Sequence, residues 1–193
     1  MATRPIATTR SAAGLPTGRL AIWWVLASEV VIFGGLLASY VMHRLAHDAW
    51  SAQAAHTNTA VGAFNTLVLL TSSLSAVLAH KAAEVEHDGP KAAKLLLATI
   101  GGGAVFIIIK FGYEWPTEIA AGFTITSSTF WSFYYTAAGL HAMHVLAGMV
   151  ILGFVAADAY RGRELHRVEL IGIYWHFVDI VWIFLFPLLY IAK

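Results

Sequence analysis

Every residue of this sequence able to do acid-base or ligand chemistry within a membrane-length run stands among apolar neighbours. Glu29 lies in Ala27-Ser28-Glu29-Val30-Val31, with Ile22, Val25, Ile32, Phe33 and Leu36 on its helical face and the small residues Ala27, Gly34 and Ala38 opposite. Desolvation of a carboxyl drives it toward the neutral form. Glu29 is therefore expected to be a largely protonated acid, able to donate a hydrogen bond and to exchange a proton; the plainer reading is a neutral Glu bonded to one neighbour. His141 and His144 occur in Gly139-Leu140-His141-Ala142-Met143-His144, and His176 and Asp179 in Tyr174-Trp175-His176-Phe177-Val178-Asp179. Both pairs are spaced i, i+3 and so share a helical face. Lys110 and Glu114, spaced i, i+4, are expected to form an outer-interface pair, with Lys110 snorkelling or pairing with Glu114.

Two chemistries compete for the histidines and acids. Facing helices can present such groups to a metal or haem, or the groups can hydrogen-bond one another as a polar helix-helix network. His-Glu-x-x-His does not occur, and Glu-x-x-His occurs at Glu84-Val85-Glu86-His87, outside these motifs, so no known metal pattern supports the first at these residues. Counted from the helix ends, Glu29, His144, His176 and Asp179 fall in one slab about 10 to 20 Å deep and are able to meet.

These residues sit in long apolar runs. Of 193 residues 59% are hydrophobic and 12% charged, whereas a soluble domain has about 45–50% and about 25%. Five runs match the roughly 20 residues that a membrane-crossing helix needs: about 20–45, 59–80, 94–115, 130–160 and 170–191. Ten-residue alternation, the mark of a membrane barrel, is missing. The expected fold is an all-α integral membrane bundle of five transmembrane helices, preceded by a flexible tail over residues 1–18.

Nine of the twelve Lys and Arg residues, Arg4, Arg10, Arg19, Lys81, Lys91, Lys94, Arg161, Arg163 and Arg167, fall on one side of these spans. The positive-inside rule then places the N-terminus in the cytoplasm and the C-terminus outside. Trp23 and Trp24 fit an inner aromatic belt, and Trp50, Trp115 and Trp131 an outer one. Small-xxx-small pairs at Gly35 and Ser39, Ala98 and Gly102, and Ala138 and Ala142 suggest close helix contacts. The run His80, Lys81, Glu84, Glu86, His87, Asp88 reads as a solvated cytoplasmic loop, or one that gathers protons. A net charge of +1 excludes a nucleic-acid-binding field. The lack of cysteine excludes thiolate metal sites, iron-sulfur clusters and Cys-attached haem.

Four motifs in order, Ala27-Ser28-Glu29-Val30, Asn65-Thr66-Leu67-Val68-Leu69-Leu70-Thr71-Ser72-Ser73, Gly139 to Gly148, and Tyr174-Trp175-His176-Phe177-Val178-Asp179-Ile180-Val181-Trp182, resemble cytochrome c oxidase subunit III. The resemblance spans about residues 18–193 and matches the five-helix bacterial form; longer members carry two further helices at the start. It implies a subunit of a bacterial inner-membrane respiratory complex that binds haem-copper oxidase subunit I and other oxidase subunits. Such a subunit has no catalytic, metal or cofactor-binding residues of its own, haem and copper belonging to the partner subunits.

In the family the acid matched by Glu29 lies near structural phospholipid and close to the His matched by His144, the lipid cleft is taken as an oxygen path, and the inner surface helps feed protons to subunit I. The family's basic residue on the fourth helix falls on Asp158, which shifts the expected headgroup contacts to Arg161 and Arg163. His141, His176 and Asp179 are then expected as hydrogen-bonding partners. Relatives attached to quinol oxidases or nitric oxide reductases form an alternative, and an independent His-ligated membrane cytochrome a more distant one.

Overall fold

The computed structural model describes residues 17–46 and 50–192. The expected tail over 1–18 thus lies outside the described residues, except that Thr17 and Gly18 already belong to a helix. Arg4 and Arg10, used for orientation, also lie outside them.

Five helical stretches are long and apolar enough to cross a membrane, and no strand occurs among the described residues. The first is α1, Thr17–Ala46, followed by a short α2, Trp50–Ala54. The second is α3, Thr59–Glu84. The third joins α4, Gly89–Ile109, through a π-helical turn, Lys110–Glu114, to α5, Trp115–Ala120. The fourth is α6, Thr129–Tyr160, and the fifth is α7, His166–Phe186, extended by a second π-turn, Pro187–Ile191. Several spans run a few residues beyond the apolar cores, and polar caps fix the starts of α3 and α4. Asn58 accepts from the Val61 amide at 3.2 Å and Asp88 from the Lys91 amide at 2.9 Å, with Pro90 fitting the first turn.

Helices α3, α4, α6 and α7 form the packed body. Its thin seams are made of small residues: a Cβ built on Gly102 would lie 2.5 Å from Ser72 Cβ, so glycine lets α4 approach α3. Ala138 and Ala142 are buried likewise, whereas a Cβ on Gly35 would meet nothing within 4 Å. That first pair is therefore not a helix contact within this chain. Helix α1 is attached differently. Its buried residues are Leu26, Phe33 and Tyr40, seven apart, and Arg19 continues the line. A seven-residue spacing draws one narrow seam down a helix. Ile22, Glu29, Leu36 and Leu37 flank this line partly buried, and most of the rest of α1 is exposed, including Trp23 and Trp24 at 62% and 71%.

The two ends of the bundle are called here the Arg19 end and the Trp50 end. The aromatic belt expected at the latter is only partly present. Trp50 and Trp131 are packed inside the fold, donating to Tyr40 Oη at 3.1 Å and to Gln53 Oε1 at 3.0 Å. Each indole N–H found a protein acceptor, so neither ring needs the interface.

Candidate functional site

A crevice of about 390 Å³ opens between α1, α6 and α7, walled by Ile22, Val25, Ile151, Val155 and Ile171. Arg167, on the first turn of α7, stands at its Arg19 end, and Tyr174, two turns further along and so about 10 Å deeper, borders its inner end. Glu29 follows Val25 by one turn of α1, and His144 precedes Ile151 by two turns of α6. The acid and the imidazole therefore meet at the head of the crevice, with His144 Nε2 3.0 Å from Glu29 Oε2 and the side chains 17% and 14% exposed.

The geometry fixes most of the protons. His144 Nδ1 is 2.8 Å from the Leu140 carbonyl, which only accepts, so Nδ1 carries hydrogen. Nε2 then faces Glu29 either bare, opposite a protonated carboxyl, or protonated, opposite a carboxylate. In both cases a single proton lies between the two groups. Their approach has ion-pair distance without the alignment of a formed hydrogen bond. The edge of Phe33, 5.2 Å between centroids, and the Tyr174 hydroxyl, which donates to the His144 carbonyl at 3.3 Å, hold the imidazole in place.

The other predicted residues do not join this pair. Three residues along a helix turn through about 300°, so His141 points about 60° away from His144. It is wholly buried, 5.4 Å from the Phe106 ring and 4.9 Å from the Trp182 ring, with neither ring nitrogen hydrogen-bonded. His176 faces α3, its Nδ1 2.6 Å from Ser73 Oγ, and Asp179 is buried one turn on, its oxygens without a hydrogen-bonding partner. His176 and Asp179 thus share the seam between α7 and α3 beside Ser73, whereas His141 lies apart among Phe106 and Trp182, and the three do not bond one another. Among the described residues no three His, Asp or Glu side chains converge as metal ligands.

Arg161 and Arg163 are exposed on the turn between α6 and α7, where Gly162 takes φ +66°. Arg167 is the cation at the crevice, held 3.0 Å from Asp158 Oδ2 and 3.7 Å from Glu164. The mixed-charge run read from the sequence as a loop is helical through Glu84, the last residue of α3, and it pairs locally, His80 with Glu84 at 2.8 Å and Glu86 with Lys91 of α4 at 2.6 Å.

Lys110 and Glu114 pair at 3.1 Å as expected from their spacing, but the snorkelling expectation fails: Lys110 is 0% exposed and Glu114 1%. Tyr134 and Tyr190 surround them, and Glu118 completes the group. Those three residues escaped the reading of the sequence. A signal existed, since Lys110, Glu114 and Glu118 repeat every four residues and an ideal α-helix would spread them by about 40° per step. The π-turn over Lys110–Glu114, closed by the Trp115 amide on the Lys110 carbonyl, takes more residues per turn and brings them into line.

The model of the cytochrome c oxidase subunit III family matches residues 7–193. A cytochrome c oxidase subunit 3 of Thermostichus vulcanus is 33% identical over 172 residues, 86% of this chain and 83% of the relative. That of Corynebacterium diphtheriae is 33% identical over 175 residues, 87% and 84% of the two chains. A protein of Aeropyrum pernix named heme-copper oxidase subunit I+III is 31% identical over 186 residues, which are 90% of this chain and 22% of that longer one.

Proposed function

Since the chain belongs to the cytochrome c oxidase subunit III family, we propose that it is the non-redox accessory subunit of a haem-copper terminal oxidase in the bacterial cytoplasmic membrane. It seats against subunit I, which with other subunits carries the haem and copper, and it stabilises that subunit during turnover. The relative whose name joins subunits I and III in one chain supports this partner, because covalent fusion of two polypeptides is productive where they already lie side by side. The N-terminus is on the cytoplasmic side, a reading supported by Arg19, Lys81, Lys91, Lys94, Arg161, Arg163 and Arg167 gathering at one end of the bundle.

The observation that carries a more specific role is the 3.0 Å contact between Glu29 and His144 at the head of an apolar crevice rimmed by Arg167. An apolar slot about 10 Å deep with a cation at its mouth suits one acyl chain and the phosphate of a phospholipid. The acid-imidazole pair, holding one proton at the end of the slot, suits proton handling next to subunit I. Arg161 and Arg163, on the neighbouring turn, add positive charge for the same headgroup. Oxygen, being apolar, would share the hydrocarbon-filled slot.

Purification of the tagged chain from its own membranes in mild detergent tests the reading. A haem-copper subunit I should accompany it, and the separated chain should be colourless. A haem absorption band that stays with this polypeptide alone would overturn the assignment in favour of a His-ligated cytochrome.

A further inference from the structure

At the Trp50 end of the bundle, Lys110, Glu114, Glu118, Tyr134 and Tyr190 close on one another, with Glu118 the most exposed of the three charged residues at 7%. Lys110 Nζ donates to Glu114 Oε2 at 3.1 Å, to Tyr134 Oη at 3.0 Å and to Tyr190 Oη. Tyr190 donates to Glu114 Oε1. Tyr134 Oη lies 2.8 Å from Glu114 Oε1 and 2.8 Å from Glu118 Oε1. A phenol owns one hydrogen and can donate to only one of those carboxyls. The other contact closes only if the carboxyl brings a hydrogen of its own.

Glu114 is already served by Lys110 and Tyr190, whereas Glu118 Oε1 touches Tyr134 and Glu118 Oε2 has no partner. The missing hydrogen therefore belongs on Glu118. It donates to Tyr134, which passes its own hydrogen to Glu114. The charge count agrees independently. One ammonium balances one carboxylate, and a second carboxylate buried in the same group would be uncompensated, at a cost of several kcal/mol. A neutral carboxyl also leaves Oε2 as a carbonyl-like oxygen, far less costly to bury unpartnered than a carboxylate oxygen.

We propose that Lys110, Glu114, Glu118, Tyr134 and Tyr190 form a proton-binding site, whose single exchangeable proton resides on Glu118 and locks the third, fourth and fifth spans together at the Trp50 end. The lock works through connectivity. Glu114 and Glu118 belong to the third span, Tyr134 to the fourth and Tyr190 to the π-turn of the fifth, and removing the proton turns the Glu118–Tyr134 contact into a repulsion between oxygen lone pairs.

The groups facing Glu118 are Lys110 and Glu114 on its own span and Tyr134 and Tyr135 on the fourth. Tyr135 is committed to the Phe123 carbonyl at 2.8 Å. His56 packs at a tilt on Phe123 in the following loop with centroids 4.5 Å apart, and His141 lies beyond the Trp182 ring that Lys110 Nζ approaches at 5.5 Å. None of these gives Glu118 Oε2 a counter-charge. Glu118 sits in the last turn before the 121–128 loop, the nearest exit for the proton.

The test uses the full chain in lipid nanodiscs. Infrared spectra of wild type minus Glu118→Gln should contain a protonated-carboxyl carbonyl band near neutral pH that shifts in heavy water. The folded state binds one proton that the unfolded, solvated carboxyl releases, so wild-type melting temperature should fall as pH rises from about 6 to 9. In Glu118→Gln that fall should be lost, the amide replacing the neutral acid. A difference spectrum without the band, or a Gln variant with the same pH slope as wild type, would overturn the site. If the Gln variant does not fold, the wild-type carbonyl band and its loss on alkalinisation, recorded against Glu29→Gln and Asp179→Asn to remove the other acids, decide the matter alone.

Discussion

Lys110–Glu114 and Glu29–His144 are both acid-base pairs inside apolar spans, and their surroundings differ in kind. The first is dry and saturated, with two phenols and a second acid around an ammonium that solvent does not reach. The second stands at the edge of a crevice, each side chain still 14–17% exposed, with one unaligned contact between them. A saturated pair holds helices in place, because moving its charge means breaking several bonds at once. A pair with a free side toward a slot can shift a proton or meet a ligand at small cost. Charge inside the spans thus stands in two settings in this chain, saturated at one end and open to a slot in the middle.

The sharpest way to break the comparison is Lys110→Met. It strands two carboxyls in the core, and removing one partner of a buried pair costs about 3–5 kcal/mol. The variant should lose much of its folded yield at pH 8 and recover part of it near pH 6, where both acids take up protons, as read by melting in detergent. Equal stability at both pH values would show that the cluster tolerates charge without a partner.

The difference between the two pairs was only half legible in the sequence. The spans and their order were readable, since length and hydropathy fix a membrane helix, whereas the closeness of Glu29 to His144 was implied by the family resemblance and not by spacing, which placed four polar residues at one depth. The saturation of Lys110 was not. Spacing of four residues announces the Glu114 pair, but the π-turn that aligns Glu118 and the arrival of Tyr190 from a span 80 residues away are tertiary events. Hydropathy therefore suggested an interface where the fold has an interior. Trp50 and Trp131 were misread for the same reason, an indole N–H being satisfied as well by Tyr40 or Gln53 as by a headgroup. Depth along a helix could be counted, whereas the direction a side chain faces could not.

A smaller effect is expected where α1 joins the body. Tyr40 donates to the Leu188 carbonyl, which lies in the π-turn of the last span, and Thr57 and Thr59 serve the Leu189 and Tyr190 carbonyls at 3.3 and 2.9 Å. Tyr40→Phe should cost about 1 kcal/mol and raise hydrogen exchange in α1 more than in α3 or α4. A uniform rise across all spans would mean that α1 is no separate unit.

Glu29→Gln should be quieter still in stability and louder in function. The amide fits the same space and can still bond His144 Nε2, so melting should move little, whereas no proton is left to exchange. In the assembled oxidase the variant should turn over normally at first and lose activity faster than wild type over many cycles. Decay identical to wild type would place Glu29 beside Lys110 as a purely structural charge.

The least effect belongs to the arginines at the mouth of the crevice, and it separates the two candidates for a headgroup. Arg161 and Arg163 are exposed on a turn, where surface substitutions stay within about 0.5 kcal/mol. Arg167 rims the slot and is oriented by Asp158 and Glu164. That carboxylate pairing orients the guanidinium at the slot and leaves its remaining N–H donors for a phosphate, which two exposed arginines on the turn do not offer in a set position. Native mass spectrometry of the complex should therefore find fewer retained phospholipids in Arg167→Gln than in the double variant Arg161→Gln/Arg163→Gln, with all forms equally folded. The opposite order would move the headgroup onto the turn and leave the crevice as a passage for small apolar molecules alone.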